Sequence, residues 1–356
     1  MDERISPVHT SLPDIDLVLE GGGVRGIGHV GALSVLEEQG YRWVNIAGTS
    51  AGAFVASLLA ANYSAKELYE IMRNEVDFHR FAQDKGLDNF FLVEGLHLLM
   101  QGGLHTGSYI QSFMREKLLA AKPKPISTFG DLIVPGREEE PKDSMHRYRL
   151  TVVASDISQG LLLRLPQDML KFGQDPDKLE VALAVRMSAS IPFFFLPMKQ
   201  RRQDGKNDLV VDGALLSNFP VGIFDVPGKP HHPTLGLELV DNAPGIGESW
   251  PIHATGNILE IGQALISTMT SAHDRLYMDN ATFVRTIAIP VEGISGTKFD
   301  LTEQEAEKLY QNGRKAAQDF LSTWDFEAYK AVYRSDRPHT GRRQQLHEEM
   351  KRLVPA

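Results

Sequence analysis

Trp43-Val44-Asn45-Ile46-Ala47-Gly48-Thr49-Ser50-Ala51-Gly52-Ala53-Phe54-Val55 joins a short apolar run to a Gly-x-Ser-x-Gly turn and then to an apolar helical pattern reaching Ala61. A serine in such a turn sits on a sharp strand-to-helix bend that exposes its hydroxyl. Gly48 and Gly52 let the backbone turn and let the following helix start hard against its neighbours. Ser50 is therefore the candidate nucleophile, and the chemistry it implies is attack on an acyl carbon.

Upstream, Asp16-Leu17-Val18-Leu19 reads as a first strand ending at Gly21-Gly22-Gly23-Val24-Arg25-Gly26. A helix follows from Gly26 to Gln39, with Val30, Leu33 and Leu36 on one face and Gly40 as its stop. Its Gly28, Gly31 and Ala32 suit a helix packed very closely on a sheet. Ser64-Ala65-Lys66-Glu67 has the form of a capping box opening another helix. Two strand-helix units in the first 65 residues predict an α/β fold: a central, mostly parallel sheet in three layers, with helical additions at the C-terminus.

The glycine run has two readings. Gly21, Gly23 and Gly26 formally fit the dinucleotide fingerprint, which needs an acidic residue at the end of the second strand. That strand ends instead in Ala47-Gly48-Thr49-Ser50, so the cofactor reading fails at its own confirming position. Free backbone N–H groups aimed at an oxyanion are the better use of three glycines beside a helix N-terminus.

Further along, residues 76–104 scatter Phe78, Phe81, Phe90, Phe91, Leu92, Leu96, Leu98, Leu99 and Met100 among glycines and charges. This stretch reads either as a lid or lipid-facing rim or as a pair of core helices. Residues 135–147 are a charged loop. Strands are expected at Tyr148 to Ala154, with a hairpin partner at Gly160 to Leu165, and at Leu209 to Val211, Thr234 to Val240 and Thr282 to Ile289. Helices are expected at Leu179 to Met187, around 254–279, and over most of the chain from Leu301. The expected organisation is a tail (1–14), a catalytic core (15–225), the remainder of the α/β domain (226–300) and a helical annex (301–356).

The 356 residues include no cysteine, which removes disulfides, thiolate metal sites and a cysteine nucleophile and suits a reducing cytoplasm. Met1-Asp2-Glu3-Arg4 lacks the pattern of a secretory signal, and no run approaches the ~18 apolar residues of a membrane span. A net charge of −9 argues against nucleic-acid partners and against general attraction to anionic membranes. Lys199-Gln200-Arg201-Arg202 and Arg342-Arg343 read as solvated surface.

A nucleophilic serine needs a base. Leu209-Val210-Val211 delivers Asp212 at a strand end, where Gly213 and Ala214 permit close approach. His253 and His273 follow it in the order that a Ser-Asp-His triad requires. Both lie in a helical pattern rather than a glycine-rich strand-end loop, and only about two strands precede Ser50, which disfavours the triad.

Gly-Gly-Gly-x-Arg-Gly at Gly21, Gly-x-Ser-x-Gly at Gly48 and Asp-Gly-Ala at Asp212, in that order, resemble the patatin-like phospholipases. The resemblance extends to Ser188-Ala189-Ser190-Ile191-Pro192 and Asn218-Phe219-Pro220 and covers residues 15–225 best. It implies a lipid acyl hydrolase with Ser50 as nucleophile and Asp212 as general base. It also implies an oxyanion hole from the N–H groups of Gly22, Gly23 and Val24, with Arg25 bracing that loop. Phe193-Phe194-Phe195 departs from the family, which usually has a small residue there, so the family's acyl-pocket shape does not carry over to this chain. The substrate would be a phospholipid, lysophospholipid or related acyl ester, reached by transient contact with a membrane surface such as the inner membrane face. No metal or cofactor is required, and no oligomeric state is specified. The rival functions are a general carboxylesterase with a histidine base and a catalytically idle lipid-binding protein of the same fold. The dyad carries one structural demand: Asp212 must be buried beside Ser50, because a solvated aspartate (pKa ~3.9) is a feeble base.

Overall fold

The computed structural model describes residues 13–77, 80, 106–241, 280–291, 293–296, 298 and 301–334. Its strands are β1 (Asp14–Leu19), β2 (Arg42–Thr49), β3 (Leu150–Asp156), β4 (Leu161–Leu165), β5 (Met198–Arg201), β6 (Asn207–Asp212), β7 (Thr234–Val240) and β8 (Thr286–Pro290). The helices are α1 (Ile27–Glu38), α2 (Ala51–Ala60), α3 (Ala65–Glu70), α4 (Ser108–Ala120), α5 (Val181–Ser188), α6 (Asn280–Val284), α7 (Glu303–Leu321) and α8 (Phe326–Tyr333).

All the strands belong to one sheet, in which β3-β2-β1-β7-β8 run parallel. β1 lies at the centre, and Ile15, Leu17, Val18 and Leu19 are wholly buried, as an apolar run with both faces covered must be. Leu17, Leu19 and Ile46 face the main core, against α1 and α2. Val18 and Ala47 point the other way, onto Phe219, Val221 and Phe224.

At β3 the sheet changes character. β4 pairs antiparallel along one edge, Val152–Asp156. The opposite edge is shared: β2 runs parallel to Leu150–Val153, and β6 runs antiparallel to Ala154–Asp156. β2 and β6 therefore approach each other end to end, with Thr49 opposite Val153 and Asp212 opposite Ala154. Consecutive residues of β3 thus set the last residue before Ser50 beside Asp212.

Three local expectations need correction. Lys199-Gln200-Arg201 is not simply solvated surface but most of the edge strand β5, with Lys199 and Arg201 exposed and Gln200 buried. The strand expected from Thr282 begins only at Thr286, because residues 280–284 form α6. Gly31 of α1 meets a helix rather than the sheet: a Cβ there would overlap the Tyr310 carbonyl of α7, and one at Gly313 of α7 would overlap the Gly28 carbonyl. α7 is thereby locked against α1 backbone to backbone.

The capping box at Ser64 is present, with the Ser64 N–H donating to Glu67 Oε2 at 2.8 Å. No described helix is long and apolar enough to cross a membrane. The helix expected at 254–279, His253, His273, Arg342-Arg343 and all of 76–104 except residues 76, 77 and 80 lie outside the described residues.

Candidate active site

Ser50 occupies the turn between β2 and α2 with φ 53° and ψ −121°, a backbone that a non-glycine residue adopts only under constraint. The constraint is steric and mutual. A Cβ at Gly48 would overlap the Gly52 carbonyl, and a Cβ at Gly52 would overlap the Leu19 carbonyl. The bend is thus pressed against the end of β1. Its amide is held as well: Ser50 N–H donates to Ser188 Oγ at 2.8 Å, and the Ser188 hydroxyl donates to the Val153 carbonyl at 2.6 Å.

The Ser50 hydroxyl donates to Asp212 Oδ2 at 2.6 Å. The other carboxylate oxygen accepts the Ala214 N–H at 2.9 Å, and the Asp212 N–H donates to the Ser190 carbonyl at 2.9 Å. Gly213 admits this turn, since a Cβ there would overlap the Val153 carbonyl. Only 3% of Asp212 and 7% of Ser50 is exposed. Burial pushes the Asp212 carboxyl up from 3.8 to about 6, against the smaller downward pull of the Ser50 hydroxyl and Ala214 N–H. The carboxylate is still mostly ionised at pH 7, yet far more basic than a solvated one.

The glycine loop runs alongside. A Cβ on Gly21 would lie 3.1 Å from Ser50 Cβ, so this loop and Ser50 are neighbours. Gly23 takes φ +59° and opens a short 3-10 turn, Gly23–Gly26, that leads into α1. Among the described residues no acceptor faces the N–H groups of Gly22 and Gly23. Val24 differs from the expectation: its N–H donates to the Gly296 carbonyl at 3.0 Å. Arg25 braces the loop, its Nε donating to the Gly22 carbonyl at 3.1 Å and its Nη1 to Asp241 Oδ2 at 3.4 Å.

Two residues to which the sequence reading gave no role, Glu20 and Asn218, tie these parts together. Glu20, buried at the end of β1, accepts Asn218 Nδ2 at 2.8 Å on one oxygen and the Leu239 N–H at 2.5 Å on the other. Asn218 Nδ2 also donates to the Gly21 carbonyl at 3.2 Å, joining the segment after Asp212 to the glycine loop. The one sequence signal for Glu20 is an acid closing an apolar strand. Asn218 was visible only as part of a motif. Ser188 lay in a quoted motif too, but nothing local marks it as the acceptor for Ser50.

Among the described residues no histidine hydrogen-bonds to Ser50 or Asp212. His29 is fully buried, and desolvation lowers its pKa to about 4, so the neutral ring donates through Nε2 to the Glu20 carbonyl at 2.9 Å. His232 pairs with Asp16 at 3.0 Å, on the smaller core's side of β1.

Comparison with known proteins decides the lineage. The family model for patatin-like phospholipases matches residues 17–225, taking in the glycine loop, the serine turn and Asp212. The chain belongs to the patatin-like phospholipase family. It is 35% identical to the Bacillus subtilis protein YqhO over 88% of this chain and 99% of that one. It is 49% identical to the Saccharomyces cerevisiae lysophospholipase NTE1 over 55 residues, which is 15% of this chain but only 3% of that much longer protein. Among solved structures it resembles VipD of Legionella pneumophila with a TM-score of 0.49 and 18% identity, over 88% of this chain and 67% of that one. Membership of the patatin-like family supports lipid acyl hydrolase activity for this chain.

Proposed function

We propose that this patatin-like protein hydrolyses carboxylic esters of phospholipids or lysophospholipids through a Ser50–Asp212 dyad. The observation that carries the proposal is the 2.6 Å hydrogen bond from the Ser50 hydroxyl into a buried, basicity-raised carboxylate. Asp212 takes the proton as Ser50 Oγ attacks the acyl carbon, and negative charge develops on the carbonyl oxygen. The N–H groups of Gly22 and Gly23 are the donors that would meet it, and Val24 would join only by releasing Gly296. Collapse of the tetrahedral intermediate expels the alcohol, which receives its proton from Asp212. The acyl-serine is then hydrolysed by a water that Asp212 deprotonates. Every proton passes through Asp212, so the scheme needs neither metal nor cofactor. The chain would act in the cytoplasm, meeting the inner membrane face transiently.

The test is hydrolysis of a phospholipid and a short-chain p-nitrophenyl ester by wild type, Ser50→Ala, Asp212→Asn and His273→Ala without added metal. Activity on both substrates, lost in the first two variants and kept in the third, is the expected result. Loss in His273→Ala with survival of Asp212→Asn would replace the dyad by a histidine-based triad. An inert wild type would favour the lipid-binding reading.

A further inference from the structure

Beyond the dyad, a second non-glycine residue close to the site has a left-handed backbone: Phe193, at φ +66°. For a bulky side chain this is a true outlier, and it persists only where the surroundings over-determine it. They do so here. The N–H groups of Phe194 and Phe195 both donate to the Ile191 carbonyl, at 3.2 and 2.8 Å. The fully buried Arg186 donates to Ser190 Oγ and, at 2.9 Å, to the Leu196 carbonyl, with its guanidinium 5.4 Å over the Phe195 ring. Phe193 is therefore clamped from both sides.

The loop is also anchored at both ends beside Asp212. Ser190 accepts the Asp212 N–H, and Met198 pairs with Val210 two residues before it. Phe193, three residues from Ser190, lies within ~11 Å of it along the chain. Ile191 and Phe194 pack on the main core and Phe195 is buried in it, whereas Phe193 packs on neither hydrophobic cluster and is partly exposed. The strained backbone thus belongs to a loop tied at both ends next to Asp212, and its aromatic ring is partly exposed instead of packed on either core cluster.

We infer that Phe193 is a specificity-determining residue whose ring forms the wall for the alcohol portion of the ester. This rests on the hydrolase reading above. Asp212 must protonate the departing alkoxide, so the alcohol lies on the Asp212 side of Ser50 while the carbonyl oxygen lies towards the glycine loop. An apolar wall there favours alcohols that carry an apolar group. In lipids that means a diacylglycerol-based phospholipid, whose leaving group retains an acyl chain, over a lysophospholipid, whose leaving group is wholly polar.

The test separates the two ends of the substrate. Ethyl and 2-phenylethyl butyrate differ only in the alcohol, and ethyl butyrate and ethyl octanoate only in the acyl chain. Wild type is expected to prefer the phenylethyl ester in kcat/KM. Phe193→Ala and Phe193→Gly should each cut that preference about ten-fold, with the acyl preference unchanged. Phe193→Leu, which keeps an apolar side chain, should retain most of it. In mixed micelles the diacyl-to-lyso ratio should fall in parallel. Glycine tolerates the left-handed backbone, so Phe193→Gly should also melt higher than Phe193→Ala, which verifies folding and the strain together. A shift in the acyl series instead of the alcohol series, or no shift in either by a folded variant, overturns the inference. A wild type inert towards every ester defeats the hydrolase reading and the inference with it.

Discussion

The parallel and antiparallel parts of the sheet meet at one site but build their contributions differently. In the parallel part, the turn at Ser50 is a local event: strand, two glycines and helix lie within one contiguous stretch. In the antiparallel part, Asp212 stands 162 residues away and reaches Ser50 only because β3 lends β2 and β6 the same edge. A strained serine turn can be encoded in a dozen residues, whereas the carboxylate beside it is encoded in a topology.

The sharpest way to separate the two contributions is Asp212→Asn, which leaves the serine turn intact. It should lower kcat/KM by about 10²–10⁴-fold, the range of general acid–base catalysis, measured on a soluble ester. Next comes Gly52→Ala, which attacks the parallel part by driving a Cβ into the Leu19 and Glu20 carbonyls. It should cost about 3 kcal/mol in urea denaturation. Ser188→Ala targets the link between the parts, leaving the Ser50 N–H and the Val153 carbonyl without their partner. We expect a loss of about 2 kcal/mol, and a lower kcat with little change in KM.

Acidity offers a subtler contrast, because the two parts carry buried groups of opposite sign. Asp212, raised from 3.8 to about 6, contributes stability that is full below pH 3.8 and lost as pH rises through about 6. His29, lowered from 6.5 to about 4, contributes stability that is full above pH 6.5 and lost as pH falls towards about 4. Relative to wild type, Asp212→Asn should therefore gain stability between pH 4 and 7, by about 1–3 kcal/mol. His29→Gln should gain in the opposite direction. The same ionisation predicts that kcat/KM declines below pH about 6. The smallest effect belongs to the edge: Lys199→Ser or Arg201→Ser on exposed positions of β5 should change stability by less than about 0.5 kcal/mol.

Legibility in the sequence follows the same divide. β1, α1 and β2 were readable because each is a short apolar stretch running into a glycine, and α2 because it follows directly on the Gly-x-Ser-x-Gly turn. β5 was not, because Lys199, Gln200 and Arg201 offer no apolar alternation, and it forms only as the antiparallel partner of β6. The stretch Thr282 to Ile289 is rich in β-branched and apolar residues, which hides the change from α6 to β8. α4 had a usable signal in Ile110, Phe113, Met114 and Leu118, spaced along one helical face. At the site, the motif residues were legible individually. The hydrogen bonds that Asn218 Nδ2 and the Leu239 N–H donate to Glu20 were not, since their partners are brought together only when the sheet closes.

The position of β1 has a consequence for synthesis. Its free edge is completed by β7, in a register that sets Asp16 against Thr234. Roughly 200 residues must leave the ribosome between those two strands. At ~5–20 residues per second, that is about 10–40 s during which a strand with the apolar residues Ile15, Leu17, Val18 and Leu19 lacks one neighbour. Such distant pairing makes for slow folding and prolongs the exposure of apolar surface on the nascent chain. It also delays the proposed site: Ser50 emerges early, Asp212 much later, and the strand that closes the centre of the sheet later still.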